Sequence, residues 1–247
     1  MGEQIKIQAI VLNKVDYKDN DRVLTLFSPQ KGRVTVSCKG VKKQNSKLRA
    51  GSELFAFGTY ILSETRGRYT VTGYDSIDSF HELREDFDRL SLSVLLLKIS
   101  EKAIAPDEGD NELFSLLINS LHKLRDKNID AGFTVSVFLL RFCSFFGYQP
   151  DLSECVKCGK KEDLVCLSPA SGGVTCLNCN DTEHTVITGG CLYYMRKICE
   201  GDYEDAFLYT PTEKQVKELY RAACYYTAYF FDEKIRIMDY ISKYNLV

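Results

Sequence analysis

Along the first third of the chain, apolar and β-branched residues alternate with polar ones or run together in short blocks: QIKIQAIVLNKV, DRVLTLFS, GRVTVSCKG, LFAFGTYILSE and GRYTVTGYDS. Successive side chains of a strand point to opposite faces, so this pattern predicts five short strands between Gln4 and Asp78. The blocks are separated by YKDND, SPQKG, VKKQNSKLRAGS and TRG, which are rich in turn residues. Five strands in so short a span, with no helical period among them, predict a small barrel or sandwich, and a five-stranded OB-type barrel fits the count and size. Gly32, Gly40 and Gly67 fall where tight turns call for a positive φ.

After Asp78 the period lengthens. Leu83, Phe87, Leu90, Val94, Leu97 and Ala103 recur mostly at three or four, which predicts a helix from Leu83 to about Ile104. A second helix is expected over Asn111 to Lys127 with Asp110 as its cap, and a third over Ala131 to Phe146, apolar nearly all round and therefore central. Pro150 is expected to end the third. GGCLYYMRKICE and TEKQVKELYRAACYYTAYFFDEKIRIMDYISKY read as further helices. The tyrosines and phenylalanines at 225, 226, 229, 230 and 231 read as core, and His81 and His122 as packing or surface residues. The fold class is therefore α+β, with a barrel in residues 1–79, a helical region in residues 80–247 and a cysteine module at residues 150–185 inserted into it.

Charge sharpens this division. The formal net charge is −2, yet residues 1–50 hold eleven lysines and arginines against four acids. The stretch KGRVTVSCKGVKKQNSKLR carries seven basic side chains and no acid, which suggests a polyanionic partner for the barrel. The candidates for phosphate contact are Arg22, Lys31, Arg33, Lys39, Lys42, Lys43, Lys47 and Arg49. Phe27, Phe55, Phe57, Tyr60 and Tyr69 are available either to stack bases or to fill the barrel, and the sequence leaves both readings open. The charges breaking the opening stretch MGEQIKIQAIVLNKV argue against a signal peptide, and apolar runs such as VLLL at 94–97 are far shorter than a membrane span. A cytoplasmic protein is expected, with its ten cysteines reduced.

Five of those cysteines lie in CVKCGKKEDLVCLSPASGGVTCLNC. Cys155 and Cys158 form one C-x2-C pair and Cys176 and Cys179 another, at the separation of a tetrahedral four-thiolate zinc site. The segment between the pairs is expected to fold as a hairpin or short loop. Cys166, flanked by Val165 and Leu167, reads as a small buried residue, and His184 is a weaker competitor for a ligand position. Neither pair has the strand-to-helix setting of a thioredoxin-like redox site. Four thiolates close the coordination sphere, so one structural Zn2+ is expected. The chain contains no G-x4-G-K-[ST], G-x-G-x-x-G or H-E-x-x-H motif, and its three histidines lie far apart. An enzyme is not expected.

Five stretches of the chain resemble the bacterial RecO family of DNA repair proteins: AIVLNKVDYKDNDRVLTLFSPQKG, KGVKKQNSKL, GRYTVTGYDSID, FLLRFCSFFGYQPDLSECVKCG and SPASGGVTCLNC. The likeness spans essentially the whole chain and is most specific at the KG-basic-basic segment and the helix-to-CxxC junction. Two departures lie in the first turn, DYKDND, where the family often has a glutamate, and at Arg49-Ala50-Gly51, where a proline often follows the basic loop. Neither touches the cysteines or the basic residues. The resemblance implies an OB-fold, a helical C-terminal region and an inserted zinc module. It further implies binding of single- and double-stranded DNA, annealing of complementary strands and partnership with RecR. Together with RecR, such a protein helps load the RecA recombinase onto DNA coated by single-strand-binding protein, whose C-terminal tail the helical region contacts. Arg141 is a candidate for pairing with that acidic tail. The competing reading is an OB-fold and zinc-ribbon factor of transcription or translation that prefers RNA or a specific duplex.

Overall fold

The computed structural model describes residues 3–179 and 184–235. The chain divides into two compact units, residues 1–125 and 126–247.

In the first unit the five expected strands form: β1 (Glu3–Tyr17), β2 (Asp21–Ser28), β3 (Gly32–Cys38), β4 (Phe57–Thr65) and β5 (Arg68–Asp78). They close into a barrel in the order β1-β2-β3-β5-β4, with β4 returning to β1. This is the five-stranded OB arrangement. The long β1 serves both neighbours: its first half pairs with β4, its second half with β2, and the β1–β2 register shifts between Val11 and Asn13. Alternation sets what lies inside. In β3 the side chains of Val34, Val36 and Cys38 are buried, while Arg33, Thr35 and Ser37 sit on the other face. Ile7, Val11, Leu24, Leu26, Tyr60, Leu62 and Val71 complete the core. The Tyr60 hydroxyl donates to the carbonyls of Gly51 (2.8 Å) and Ala56 (3.2 Å), tying the β3–β4 connection to the barrel wall.

Closure between β3 and β5 is parallel and brief, through Val36–Tyr69 and Ser37–Thr70 alone. The first half of β3 therefore presents an edge whose backbone groups need partners. The connection between the next two helices covers it: the Arg33 amide donates to the Ala105 carbonyl (3.2 Å), and Pro106 bridges Gly32 and Arg33. Gly32 permits this close approach. Its φ is +60°, and a Cβ there would lie 2.3 Å from the Glu108 carbonyl oxygen.

The helices on either side of that connection are α1 (Phe87–Ala103) and α2 (Asn111–Arg125). The helix expected from Leu83 starts four residues later. Phe80 is buried in a left-handed conformation, His81–Glu85 forms a single 3-10 turn, and Asp86 is extended and accepts from the amides of Asp88 and Arg89 as the α1 cap. Phe87, expected on the buried stripe, is 70% exposed as a result. Asp110 caps α2 as expected, accepting from the Leu113 amide (2.8 Å). Phe114 of α2 packs edge-on against Phe27 and tilted against Phe57, with centroids 5.1 and 5.8 Å apart. Both helices thus belong to the same compact unit as the barrel.

The second unit is built on α3 (Ala131–Phe145), buried almost continuously from Gly132 to Cys143. Asp130 accepts from the Phe133 amide to start it. Its end comes before Pro150: Gly147 takes φ +79°, and the Tyr148 amide turns back to the Cys143 carbonyl (2.8 Å). A small sheet follows, of β6 (Leu164–Ser168), β7 (Gly173–Cys176) and β8 (Thr185–Val186), ordered β7-β6-β8. Then come α4 (Gly189–Glu200) and α5 (Glu213–Ile235). Phe231 of α5 meets Phe142 and Phe146 at centroid distances of 5.0 and 5.6 Å. Within the aromatic group expected as core, Tyr226 and Phe231 are buried and Tyr229 is exposed. The part of the last expected helix beyond Ile235 lies outside the described residues. Among the described residues, no helix is long and apolar enough to cross a membrane.

Candidate metal centre and nucleic-acid interface

The cysteine module is assembled by backbone hydrogen bonds. The Cys155 amide donates to the Lys160 carbonyl and the Gly159 amide to the Cys155 carbonyl, both at 2.8 Å, closing the first knuckle with Gly159 at φ +73°. Arg196 of α4 holds the base of the knuckle by donating to the Leu152 carbonyl. The second pair leaves the end of β7: Cys176 is its last residue and Cys179 lies in the short turn after it. The Val156 amide donates to the Val174 carbonyl (3.0 Å), which joins the first knuckle to β7.

This arrangement brings the four sulfurs of Cys155, Cys158, Cys176 and Cys179 within 4.8 Å of one another, so the four could hold a metal ion. The Cys158 and Cys176 sulfurs are 3.8 Å apart. An edge of about 3.8 Å is what a tetrahedron with arms of about 2.3 Å requires, the arm length of a zinc–thiolate bond. Burial by itself would push the Cys155 thiol up, but amides of Cys176, Lys157 and Cys158 donate to it and bring it down to about 6. The Cys179 thiol is pushed up to about 12 by its hydrogen bonds to the Cys158 and Cys176 sulfurs. Four thiolates at this spacing would repel one another without a cation between them. Cys166 lies on β6, 1% exposed and opposite Thr175, outside the cluster. His184 does not belong to the four-cysteine cluster either.

The basic residues of the barrel gather mainly on the β3–β4 connection. Residues 39–49 run as successive turns pinned to the β1–β2 turn: the Gly40 amide donates to Asp21 Oδ1 (2.7 Å) and the Lys42 amide to the Asn20 carbonyl (3.1 Å). Val41 is buried and Leu48 packs on the core, so the intervening cations are held outward. Lys39, Lys43, Lys47 and Arg49 are exposed, and Arg49 also donates to the Lys42 carbonyl (3.0 Å). Lys42 is half-buried and paired with Asp16 (3.0 Å). Arg22 is drawn further into the protein: it pairs with Asp16 (2.9 Å) and Glu53 (2.6 Å) and donates to the Ser52 hydroxyl and carbonyl. Lys31 and Arg33 lie toward the start of β3, apart from the loop, with the Lys31 ammonium 5.6 Å from the Tyr69 ring centre.

The Arg22 network orders the loop's foundation. Hydrogen bonds from Lys42 and Arg22 hold Asp16 below its ordinary 3.8. Glu53, which partial burial would raise, is held below 4.5 by hydrogen bonds from Lys14 and Arg22. A depressed carboxylate contributes stability above its unfolded value and loses it as pH falls through the folded one. Arg22→Ala is therefore expected to lower stability at neutral pH, read as a lower urea denaturation midpoint. The deficit shrinks as the pH falls below the ordinary values of 4.5 and 3.8. A constant deficit down to pH 3 would remove the ion pairs from this account.

The aromatics sort cleanly. Phe27, Phe55, Phe57 and Tyr60 are buried in the wall, and of the five expected candidates only Tyr69 is part-exposed. Tyr17, which the sequence reading passed over, is 54% exposed at the β1–β2 tip with the Lys18 ammonium 5.3 Å from its ring centre. The signal was a tyrosine beside a lysine in a turn, YKDND. In the second unit, Arg141 is half-buried and donates to the Gly201 carbonyl.

Comparison with known proteins gives the family of the chain. Residues 1–80 match the family described as Recombination protein O N terminal, and residues 84–235 the family described as Recombination protein O C terminal. A protein of Acetivibrio thermocellus named DNA repair protein RecO is 28% identical over 240 residues, covering 96% of each chain. A namesake from Desulfitobacterium hafniense strain Y51 is 29% identical over 235 residues, 92% of this chain and 85% of its own. Another from Bacillus pumilus is 31% identical over 71% of this chain and 68% of its own.

Proposed function

The chain belongs to the RecO family of DNA repair proteins, and from that premise we propose that it is a recombination mediator acting by binding alone, with no covalent step. The barrel of residues 1–79 carries the DNA-binding surface, and residues 80–247 carry the helical region with the zinc module of residues 150–185. The observation that supports this most is the projecting loop of Lys39, Lys43, Lys47 and Arg49 beside an OB-type barrel. Cations held outward on a rigid rim displace the counterions of a polyanion, and the gain does not depend on sequence. Lys31 and Arg33 add a second group of cations at the start of β3, and Lys42 and Arg22 join the loop once a phosphate competes with Asp16 and Glu53.

A strand held by its phosphates repels a second strand less, and this promotes annealing of complementary strands. RecR and the C-terminal tail of single-strand-binding protein are the partners that bring the module to coated DNA, where RecA is loaded. Attachment through a partner raises the local concentration of the barrel without any new DNA contact. The work is placed in the cytoplasm, at the nucleoid. Cys155, Cys158, Cys176 and Cys179 would hold one Zn2+, which supplies a four-way cross-link and no open coordination position.

Fluorescence anisotropy with single-stranded DNA, duplex DNA and RNA, followed by an annealing assay, tests the reading. The full-length protein is expected to bind both forms of DNA and to accelerate annealing. Selective binding of RNA would favour a transcription or translation factor, and failure to bind DNA at low salt would overturn the proposal.

A further inference from the structure

The gap where β3 and β5 part company is not filled. A pocket of ≈ 310 Å³ opens there, lined by Thr25, Arg33, Thr35, Tyr69, Glu101 and Asp107. Its lining mixes a ring, a guanidinium, hydroxyls and carboxylates. Tyr69 packs in part against the barrel core and is otherwise part-exposed, with the Lys31 ammonium over its ring at 5.6 Å from the centre. Arg33 uses one guanidinium nitrogen on the Glu101 carbonyl (3.0 Å), and its other donors have no protein partner among the described residues. The side chains of Thr25, Thr35 and Asp107 likewise make no hydrogen bond with the described residues. Asp107, at φ +62°, lies exposed in the turn that lines the pocket. Gly67 of the β4–β5 turn also lines the pocket, with no neighbour within 4 Å of where a Cβ would stand.

Resting on the DNA-binding reading above, the geometry points to a subsite for one unstacked nucleobase of a bound single strand. Single-stranded bases are held by stacking on an aromatic face and by hydrogen bonds along their edges. Tyr69 provides the face. Arg33 and the threonine hydroxyls provide donors, and Asp107 provides an acceptor. Donors and acceptors together suit the edge of any base, so the subsite anchors a strand without selecting its sequence. Lys31 is placed to leave the ring and meet the phosphate of the same nucleotide. Arg33 lies about 17 Å along β3 from Cys38, after which the basic loop begins. The outward side chains of Thr35 and Ser37 lie between, so a strand crossing this face would touch phosphate contacts at one end and a base anchor at the other.

Tyr69→Leu, which keeps apolar bulk but removes the ring, is expected to weaken binding of the full-length protein to short single-stranded oligonucleotides about tenfold, whereas Tyr69→Phe binds like wild type. An abasic residue moved along the oligonucleotide is expected to cost wild type about tenfold at one position, and to cost Tyr69→Leu little there, because both changes remove the same contact. Equal affinity of wild type and Tyr69→Leu, or an abasic penalty that persists in Tyr69→Leu, overturns the subsite while leaving the basic-loop reading intact. Loss of all single-strand binding by wild type at low salt overturns both.

Discussion

Cys176→Ser is expected to empty the metal centre and loosen the second unit while leaving the barrel folded. Elemental analysis of protein purified without chelators should find about one zinc per chain in the wild type and close to none in the variant. The reason lies in how little else holds the module. Its sheet strands β6, β7 and β8 have five, four and two residues, and Cys158 is exposed. Cys176 itself is 3% exposed at the end of β7, paired in register with Leu164, so losing it affects both the ion and the hairpin. In small zinc modules the binding free energy is folding free energy, with an apparent value on the order of 10 kcal/mol. Hydrogen exchange should report the effect as lost protection in residues 151–179, spreading to the α3–α5 packing. Protection in β1–β5 should stay as in wild type. Full retention of zinc by the variant would show that Cys176 is not a ligand, and unchanged protection after zinc loss would show that the metal is dispensable for the fold.

Reversing the three outward lysines, Lys39→Glu, Lys43→Glu and Lys47→Glu together, is expected to reduce single-strand affinity roughly a hundredfold or more at moderate salt. All three are exposed and none forms an ion pair among the described residues, so the change should leave folding unaffected. Lys42 is deliberately spared, because its ammonium pairs with Asp16 and its reversal would place two carboxylates together. A triple variant with wild-type affinity and a wild-type denaturation midpoint would remove the loop as the main DNA contact.

The alternation in β3 and the C-x2-C spacing were readable because each is a local rule: strand periodicity is two, and a tetrahedral site needs paired ligands. The capping role of Asp110 was readable for the same reason. The start of α1 was not, because the apolar spacing runs straight through Asp86, whereas the chain there is set by a buried, left-handed Phe80 and an extended cap. Arg22 looked like any other cation of the basic half. Its partner Glu53 lies 31 residues away, brought close only by the closed barrel. The five barrel aromatics were likewise ambiguous until the barrel fixed which face each strand turned inward. The covering of the β3 edge by Ala105 and Pro106 joins residues about seventy apart and has no local signal.

The central claim is that phosphate contacts on the basic face of the barrel carry DNA binding. It is tested most directly by the affinity of the full-length protein for a single-stranded oligothymidylate across a salt series. If about six of the eight candidate cations meet phosphates, log affinity falls against log salt with a slope of about −4 in the wild type, and of about −2 in the triple lysine variant. A wild-type slope near zero, or the same slope in both proteins, would contradict it.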